Sequence, residues 1–182
     1  MGLVAKNRRR VKERPDPKSG VTAGKSGVIL RRMRAVIQRV RTASVSIGGG
    51  KVAEIGGGLL VLLGVGESDA ADDIEWLAGK IAGLRLFADD DGAWNRSVAG
   101  LPGEVLVVSQ FTLFASMKKG TKPGWHRAAK PEVAAPMCDA SVRRLETLLP
   151  GRVRAGRFGE MMGVAPVNDG PVTLWLDTRQ RE

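Results

Sequence analysis

The sequence is poor in the residues that build disulfide-bonded or metal-centred sites. Among 182 residues it has one cysteine, Cys138, and one histidine, His126. A single cysteine excludes an intrachain disulfide, so nothing in the composition points to an oxidising compartment. One cysteine and one histidine also fall short of the Cys/His cluster of a structural zinc site and of a His-rich catalytic zinc site. The sequence therefore predicts no metal site.

Long hydrophobic runs are absent as well. The longest apolar run, residues 59–65, is interrupted by Gly64. It is far shorter than the roughly 20 residues that a membrane-spanning helix needs. No apolar core of a secretory signal peptide precedes it. We therefore expect no membrane association and a cytoplasmic location.

Positive charge is concentrated at the start of the chain. The sequence carries 29 Lys and Arg against 19 Asp and Glu, and residues 1–32 hold ten of these basic and two of these acidic residues. Residues 1–32 also lack aromatic residues, a composition typical of disordered segments. We predict a disordered basic extension over residues 1–32 and one folded domain over residues 33–182. The extension is a nucleic-acid-binding arm, a targeting peptide or an upstream addition to the native domain. The last alternative is favoured, because Met33 can serve as an independent start that leads directly into a strand pattern.

Hydrophobic spacing after Met33 indicates an α/β fold. Residues 34–40, 44–47 and 51–55 have the pattern of hairpin strands, and residues 59–63 form a continuous apolar run typical of a strand covered on both faces. A second buried strand is predicted over residues 105–108 and two further strands near residues 153–158 and 172–176.

Two amphipathic helices are predicted between these strands. The first has apolar residues at helical spacing from Ile74 to Leu84 and can be capped by Ser68 or Asp69. The second covers residues 131–149 and places Cys138 on its apolar face, although Pro136 can kink its first turns. The acidic stretch at residues 89–92 is expected to be a turn.

Polar residues follow the second buried strand in the order Ser109-Gln110-Phe111-Thr112-Leu113. A strand end is rigid and still accessible, and its backbone N–H groups can converge on an oxyanion. Taken alone, the stretch favours a strand end that has polar capping residues over a catalytic corner. His126 lies in a predicted loop and Cys138 on a core face, so neither is a strong candidate for a catalytic nucleophile or base.

A second candidate is the Gly170-Pro171 step that follows Asn168 and Asp169. Proline is the residue before which a cis peptide bond costs only about 0.5 to 1 kcal/mol over trans. Such a step is either ordinary loop punctuation or a way to fix the orientation of two carbonyl groups.

The two motifs, about 60 residues apart and in this order, resemble those of the D-aminoacyl-tRNA deacylases. The resemblance runs from Met33 to Asp177. It implies a compact single domain with a barrel-like mixed β-sheet and two main helices, which acts as a homodimer with its site at the interface. It also implies hydrolysis of the ester of D-aminoacyl-tRNA, and of glycine mischarged on tRNA for alanine. The implied partner is the 3′ end of aminoacyl-tRNA, with no cofactor and no further protein partner.

The resemblance assigns roles to both motifs. Ser109, Gln110, Phe111 and Thr112 are expected to line the catalytic pocket. Gly170 and Pro171, joined by a cis bond, are expected to enter the pocket of the second copy and exclude an L side chain. Asn168 and Met162 are the remaining residues expected to bind substrate.

Enantiomers carry identical groups, so a rigid block must discriminate between them, and such a block admits glycine. For the chemistry we expect backbone N–H groups near Phe111 and Thr112 to hold the oxyanion while the ribose 2′-OH of tRNA helps to activate water. The alternative is the Thr112 hydroxyl as nucleophile.

Two stretches depart from the family pattern. Lys122 replaces an arginine, and Gly124-Trp125 replaces a serine followed by an aromatic residue. Ala165-Pro166 stands where Ser-Leu is common. A competing class is a non-catalytic tRNA- or RNA-binding module, for which the evidence is the basic extension together with Arg34, Arg39 and Arg41. Its expected behaviour is tight, salt-dependent binding without turnover. A small esterase that uses His126 is a third, weaker alternative.

Overall fold

The structure is a computed structural model that describes residues 33–118 and 120–181. Within these residues the chain forms eight strands, two α-helices and one 3₁₀ helix. The strands are β1 Arg34–Ile47, β2 Gly50–Ile55, β3 Gly58–Gly64, β4 Arg85–Ala88, β5 Trp94–Ser97, β6 Glu104–Ser109, β7 Val153–Ala155 and β8 Gly163–Asp177. The helices are α1 Ala71–Gly83, α2 Pro131–Leu148 and the 3₁₀ helix Phe111–Phe114. The predicted basic extension, residues 1–32, lies outside the described residues.

The long strand β1 organises the main sheet. One edge of β1 pairs antiparallel with β3 over residues 34–40 and with β2 over residues 43–47, while its other edge pairs antiparallel with β8. On its other edge β3 pairs in parallel with β6, and β6 pairs in parallel with β7. The result is a mixed, nearly closed barrel-like sheet, which confirms the predicted fold class.

The apolar run in β3 separates two layers of core, because successive side chains of a strand point to opposite faces. Leu59, Val61 and Leu63 pack against the helices, together with Ile74 and Leu77 of α1. The alternate residue Leu60 packs on the inner side of the sheet with Val40, Val45, Leu106 and Val108. The prediction that both faces of this strand are covered is therefore confirmed.

Several predicted boundaries need correction. The cap of α1 is Ala70, neither Ser68 nor Asp69, and its N–H donates to the Asp73 carboxylate at 3.0 Å. The carboxylate of Asp69, one residue before the cap, instead accepts the Gly66 N–H at 2.5 Å. α2 begins at Pro131 and continues through Pro136, the sixth residue of the helix, where the missing N–H removes the helical hydrogen bond to the carbonyl of Glu132.

Other strands also differ from the prediction. β4 and β5 form a hairpin around the 89–92 turn that the sequence did not predict, since it is short, exposed and lacks clear alternation. β7 ends at Ala155, so residues 157–160 form a turn. β8 begins at Gly163, nine residues before the predicted strand, because its pairing with β1 compensates for a weakly apolar sequence.

The Arg34 side chain links the start of β1 and the end of β8 to the 3₁₀ helix. Its side chain is 9% exposed and pairs with Asp177 at the end of β8, with 3.2 Å between Nε and Oδ2. Its Nη1 donates to the carbonyl of Leu113 at 2.6 Å, and its guanidinium lies 4.7 Å from the ring centroid of Phe114. The position of the 3₁₀ helix therefore depends on a buried cation. No helix in the described part of the chain has the length and apolarity to cross a membrane.

Candidate functional site

The polar residues after β6 form a sharp corner rather than a continued strand. Ser109 is the last residue of β6, and Gln110 donates its N–H to the carbonyl of Leu63 in the neighbouring strand at 2.7 Å. The 3₁₀ helix then begins at Phe111. It packs so closely on β3 that a Cβ on Gly64 would lie 3.0 Å from both the carbonyl oxygen of Gln110 and the ring of Phe114. Glycine at position 64 is therefore what lets the corner sit against the sheet.

The first turn of the 3₁₀ helix leaves two backbone donors without an acceptor inside that turn. The N–H of Leu113 closes the first turn on the carbonyl of Gln110 at 3.3 Å, which leaves the N–H groups of Phe111 and Thr112 ahead of the turn. The side-chain amide of Gln110 donates to the hydroxyl oxygen of Thr112. The arrangement offers two adjacent N–H donors to an oxyanion, together with a hydroxyl whose hydrogen-bond partner is an amide rather than a base.

A cavity of about 660 Å³ opens beside the corner. Ser109, Gln110, Phe111 and Thr112 line it on one side and Met162 on the other. Met162 packs over the backbone of Gly156, where a Cβ would lie 2.6 Å from its sulfur atom. The remaining wall is largely apolar and comes from β3, the start of α2 and the turn before β8. The volume falls in the range of sites that take a small molecule or the end of a larger one.

The titratable groups near the cavity are few. Burial raises the pKa of the Cys138 thiol to about 12, so this residue, which lines the cavity wall, is a neutral thiol at physiological pH. Glu160 is the single carboxylate among the lining residues. His126 is exposed and does not line the cavity. Across the described residues, no three His, Cys, Asp or Glu side chains are grouped as metal ligands.

The Gly170-Pro171 step lies in a wide bulge of β8, not in a loop before a strand. Register with β1 runs from Gln38 opposite Thr173 to Val40 opposite Asn168. Residues 169–172 of β8 therefore lie opposite Arg39 alone and protrude from the sheet. The peptide bond between Gly170 and Pro171 is cis, as predicted, and both residues are exposed.

The Arg39 side chain binds this bulge at Asp169. Its Nε is 3.1 Å from the Asp169 carboxylate and donates to the Asp169 carbonyl at 3.2 Å. Its Nη1 donates to the carbonyl of Leu86 in β4, and its guanidinium stacks over the ring of Trp94 at 5.0 Å. With its side chain 11% exposed, Arg39 fixes the base of the bulge through three elements.

The structure brings only one of the two motifs to the cavity. Ser109, Gln110, Phe111, Thr112 and Met162 line it together, whereas Asn168, Gly170 and Pro171 do not line the cavity of their own chain. Asn168 is half-buried, and its Oδ1 is a buried side-chain oxygen without a hydrogen-bond partner among the described residues.

Sequence reasoning missed several residues of this region. Trp94 lies in no motif that would have singled it out, and Arg39, 55 positions earlier, was considered as an RNA-binding residue and not as a support of the Gly170-Pro171 step. Glu160 was equally hidden, and Trp125, which meets the ring of Phe111 edge to face at 5.3 Å, was noted only as part of a departure from the family pattern. The one available signal was Trp125, since it follows the first motif closely and stands at a position where the family has an aromatic residue.

Comparison with known proteins agrees with this geometry. The family model for D-Tyr-tRNA(Tyr) deacylase matches residues 36–177. D-aminoacyl-tRNA deacylases from Dechloromonas aromatica and Opitutus terrae are 53% and 54% identical over 150 residues, which cover 82% of this chain and all of each relative.

Two solved structures have the same fold. A c-Myc DNA unwinding element binding protein superposes with a TM-score of 0.75 at 41% identity, over 79% of this chain and 97% of that one. A probable eukaryotic D-amino acid tRNA deacylase gives a TM-score of 0.70 at 18% identity, over 80% of this chain and 99% of that one, a likeness of fold alone. From the family match and the two close relatives it follows that the chain belongs to the D-aminoacyl-tRNA deacylases, a family of hydrolases.

Proposed function

We propose that the protein hydrolyses the ester that joins a D-amino acid to the terminal adenosine of tRNA and rejects the L enantiomer. The observation that carries this proposal is the 3₁₀ corner at Phe111 and Thr112, which lines a cavity of about 660 Å³. An aminoacyl ester is already activated, so the site has to position it and stabilise the tetrahedral oxyanion. The protein acts in the cytoplasm, on the 3′ end of aminoacyl-tRNA.

The active form in this proposal is a homodimer. Gly170 and Pro171 are exposed on a bulge that does not reach the cavity of its own chain. The surrounding face of β8 also presents apolar side chains, with Val167 and Trp175 each 48% exposed. Pairing of two copies buries such a face and brings the bulge of one copy to the cavity of the other. Each site then has residues from both chains.

In this dimer the bulge forms the wall that rejects L-amino acids. Burial differences of a side chain discriminate by only about 1 to 3 kcal/mol, so chirality has to be read by a fixed obstacle. Arg39 supplies the fixation, because it ties Asp169 to β4 and to the ring of Trp94. An L side chain meets the obstacle, a D side chain points away from it, and glycine has nothing to collide. The proposal therefore includes glycine mischarged on tRNA for alanine as a substrate.

The reaction proceeds by attack of water on the ester carbonyl carbon. The N–H groups of Phe111 and Thr112 stabilise the oxyanion that forms. The bond from the carbonyl carbon to the ribose oxygen then breaks, the ribose oxygen takes up a proton, and the free D-amino acid leaves. The ribose 2′-OH assists in placing the water and in proton transfer, so every step is assigned to backbone, water or RNA and none to a cofactor.

The alternative with Thr112 as nucleophile has less support. A nucleophilic hydroxyl needs a neighbouring base to take its proton. The partner of the Thr112 oxygen is the Gln110 amide, which donates a hydrogen bond to it. Cys138, as a neutral buried thiol, is no better as a base. Glu160 has a different role in this proposal: as the single lining carboxylate it attracts the α-ammonium group of the substrate.

The decisive experiment compares deacylation of D-tyrosyl-tRNA and L-tyrosyl-tRNA by the wild type and by His126→Ala. We expect turnover of the D substrate alone, at equal rates in both proteins, because His126 lies outside the cavity lining. Tight, salt-dependent binding of both substrates without turnover would establish the RNA-binding module instead. Loss of turnover in His126→Ala would establish the esterase.

A further inference from the structure

The cavity is bordered by a segment with an unusual charge pattern. We name residues 115–130, which connect the 3₁₀ helix to α2, the rim segment. It contains five Lys and Arg, one His and no Asp or Glu. The residues at its α2 end, among them Trp125, Ala128 and Ala129, line the cavity itself. The positive charge is therefore concentrated on a segment that itself forms part of the cavity wall.

The rim segment is held in place rather than loosely attached. Ser116 and Gly124 exchange two backbone hydrogen bonds of 2.9 Å, which close the base of a protruding turn. At its far end the N–H of Ala129 donates to the carbonyl of Val65 in the sheet region at 2.9 Å. Gly120, with a φ of +74°, makes the turn at the tip. The basic side chains are thus presented from a fixed frame.

The charges of the rim segment have no carboxylate partners in the described part of the chain. Lys118, Lys122, Arg127 and Lys130 are all exposed, and none forms a salt bridge there. Several arginines elsewhere are paired with acids: Arg34 with Asp177, Arg39 with Asp169, Arg96 with Asp90, Arg144 with Glu75, Arg154 with Glu104 and Arg181 with Asp73. A single unpaired surface lysine is ordinary. Four unpaired cations on sixteen residues without one acid form an anion-binding surface.

Aromatic rings stand between this surface and the cavity. Phe111 and Trp125 are 55% and 38% exposed, and their rings meet edge to face at 79°. Exposed rings beside a basic groove are the usual means of holding unstacked bases, at about 1 to 3 kcal/mol per base. The combination of fixed cations, exposed rings and a cavity for one terminal group matches a single RNA strand that ends in the cavity.

We propose that the rim segment binds the single-stranded 3′ end of the RNA, with Lys118, Lys122, Arg127 and Lys130 on its phosphates and Trp125 stacked on one of its bases. This inference rests on the proposed function and adds the surface that guides the strand. It also explains how a domain with a net charge of only +2 outside residues 1–32 can bind a polyanion. The few phosphate contacts needed are collected at one site instead of being spread over the surface.

The test uses two substrates that share the reacting ester: D-tyrosyl-tRNA and the 2′(3′)-D-tyrosyl ester of adenosine, which lacks the phosphates and the other nucleotides. The rim variant is Lys118→Gln/Lys122→Gln/Arg127→Gln. The matched control is Arg85→Gln/Arg143→Gln/Arg179→Gln, which removes the same charge from exposed residues that do not line the cavity. For each protein kcat/KM is measured between 50 and 200 mM salt.

For single strands the logarithm of affinity falls by about 0.7 per phosphate contact for each tenfold rise in salt. Four contacts give the wild type a loss of about fifty-fold over this range, and removal of three contacts reduces the loss to about three-fold. We expect the control variant to follow the wild type on tRNA and all three proteins to hydrolyse the adenosine ester equally. Trp125→Ala should lower kcat/KM on tRNA without changing its salt dependence.

Two results would overturn the inference alone: rim and control variants that behave alike on tRNA, or a rim variant that loses as much activity on the adenosine ester as on tRNA. In both cases the wild type still deacylates, so the proposed function stands. A wild type that hydrolyses neither substrate would overturn the proposed function and the inference with it.

Discussion

Replacement of Arg34 by methionine should destabilise the domain far more than the loss of an ordinary ion pair. The side chain of Arg34 is 9% exposed and pairs with that of Asp177, which is 1% exposed. Removing one partner of a buried pair typically costs about 3 to 5 kcal/mol, because the other charge stays in a poorly solvated environment. The carbonyl of Leu113 also loses a charged donor at 2.6 Å.

The measurement is urea unfolding at one fixed protein concentration. With a loss of about 4 kcal/mol and an m-value of about 2 kcal/mol per M, the midpoint should fall by roughly 2 M. The control is Arg144→Met, which removes a pair with Glu75 whose side chains are 36% and 58% exposed, and should cost less than about 1 kcal/mol. Arg34→Met/Asp177→Asn should be more stable than Arg34→Met, since it removes the remaining charge.

A local readout links this pair to the site. The N–H of Ala115 donates to the carbonyl of Thr112 and reports whether the 3₁₀ helix is closed. In Arg34→Met we expect faster hydrogen exchange at Ala115 than at amides of α1. If Arg34→Met and Arg144→Met shift the midpoint equally, Arg34 does not act as a buried anchor and the reasoning fails.

Four further predictions concern the reaction. Thr112→Ala should keep most of the deacylation rate, and loss of nearly all of it would instead establish the hydroxyl as nucleophile. Gly170→Ala should lower the preference for D over L substrate by about tenfold or more. The reason is that the φ of Gly170 is +132° and a Cβ there would lie 2.8 Å from Val172 Cγ2. Gly151→Ala is the control, because Gly151 also has a positive φ, +74°, but open space around a Cβ. Glu160→Gln should weaken kcat/KM for D-phenylalanyl-tRNA but not for the α-hydroxy analogue D-phenyllactyl-tRNA, and an equal loss on both would contradict ammonium binding. Deletion of residues 1–32 should leave kcat nearly unchanged in a single-turnover assay, and a large loss would show that the extension takes part in catalysis.

Local pattern was sufficient where one interaction dominates. The run in β3 could only be a strand buried on both faces, and the spacing of Ile74, Leu77 and Ile81 could only be a helix on that sheet. The corner from Ser109 to Thr112 was identified because polar residues end an apolar strand abruptly. The cis bond before Pro171 was expected from the motif and is present.

Long-range contacts explain what the sequence did not reveal. The early start of β8 depends on pairing with β1, more than a hundred residues away, and its own residues are too exposed to signal a strand. The support of the bulge by Arg39 requires Leu86 and Trp94 from a hairpin that itself was not predicted. A charge that pairs across the fold is indistinguishable, in the sequence, from one that faces water.

The buried cysteine has a practical consequence for the study of this protein. A pKa of about 12 instead of 9.0 lowers the thiolate fraction of Cys138 about a thousandfold at neutral pH, so thiol reagents should leave it largely unmodified. The wild-type sequence therefore serves as its own background for site-specific labelling, in which a cysteine introduced on the surface is the one fast-reacting thiol. Because Cys138 also lines the cavity, the rate of its slow residual labelling reports how often the cavity wall exposes this thiol to the reagent.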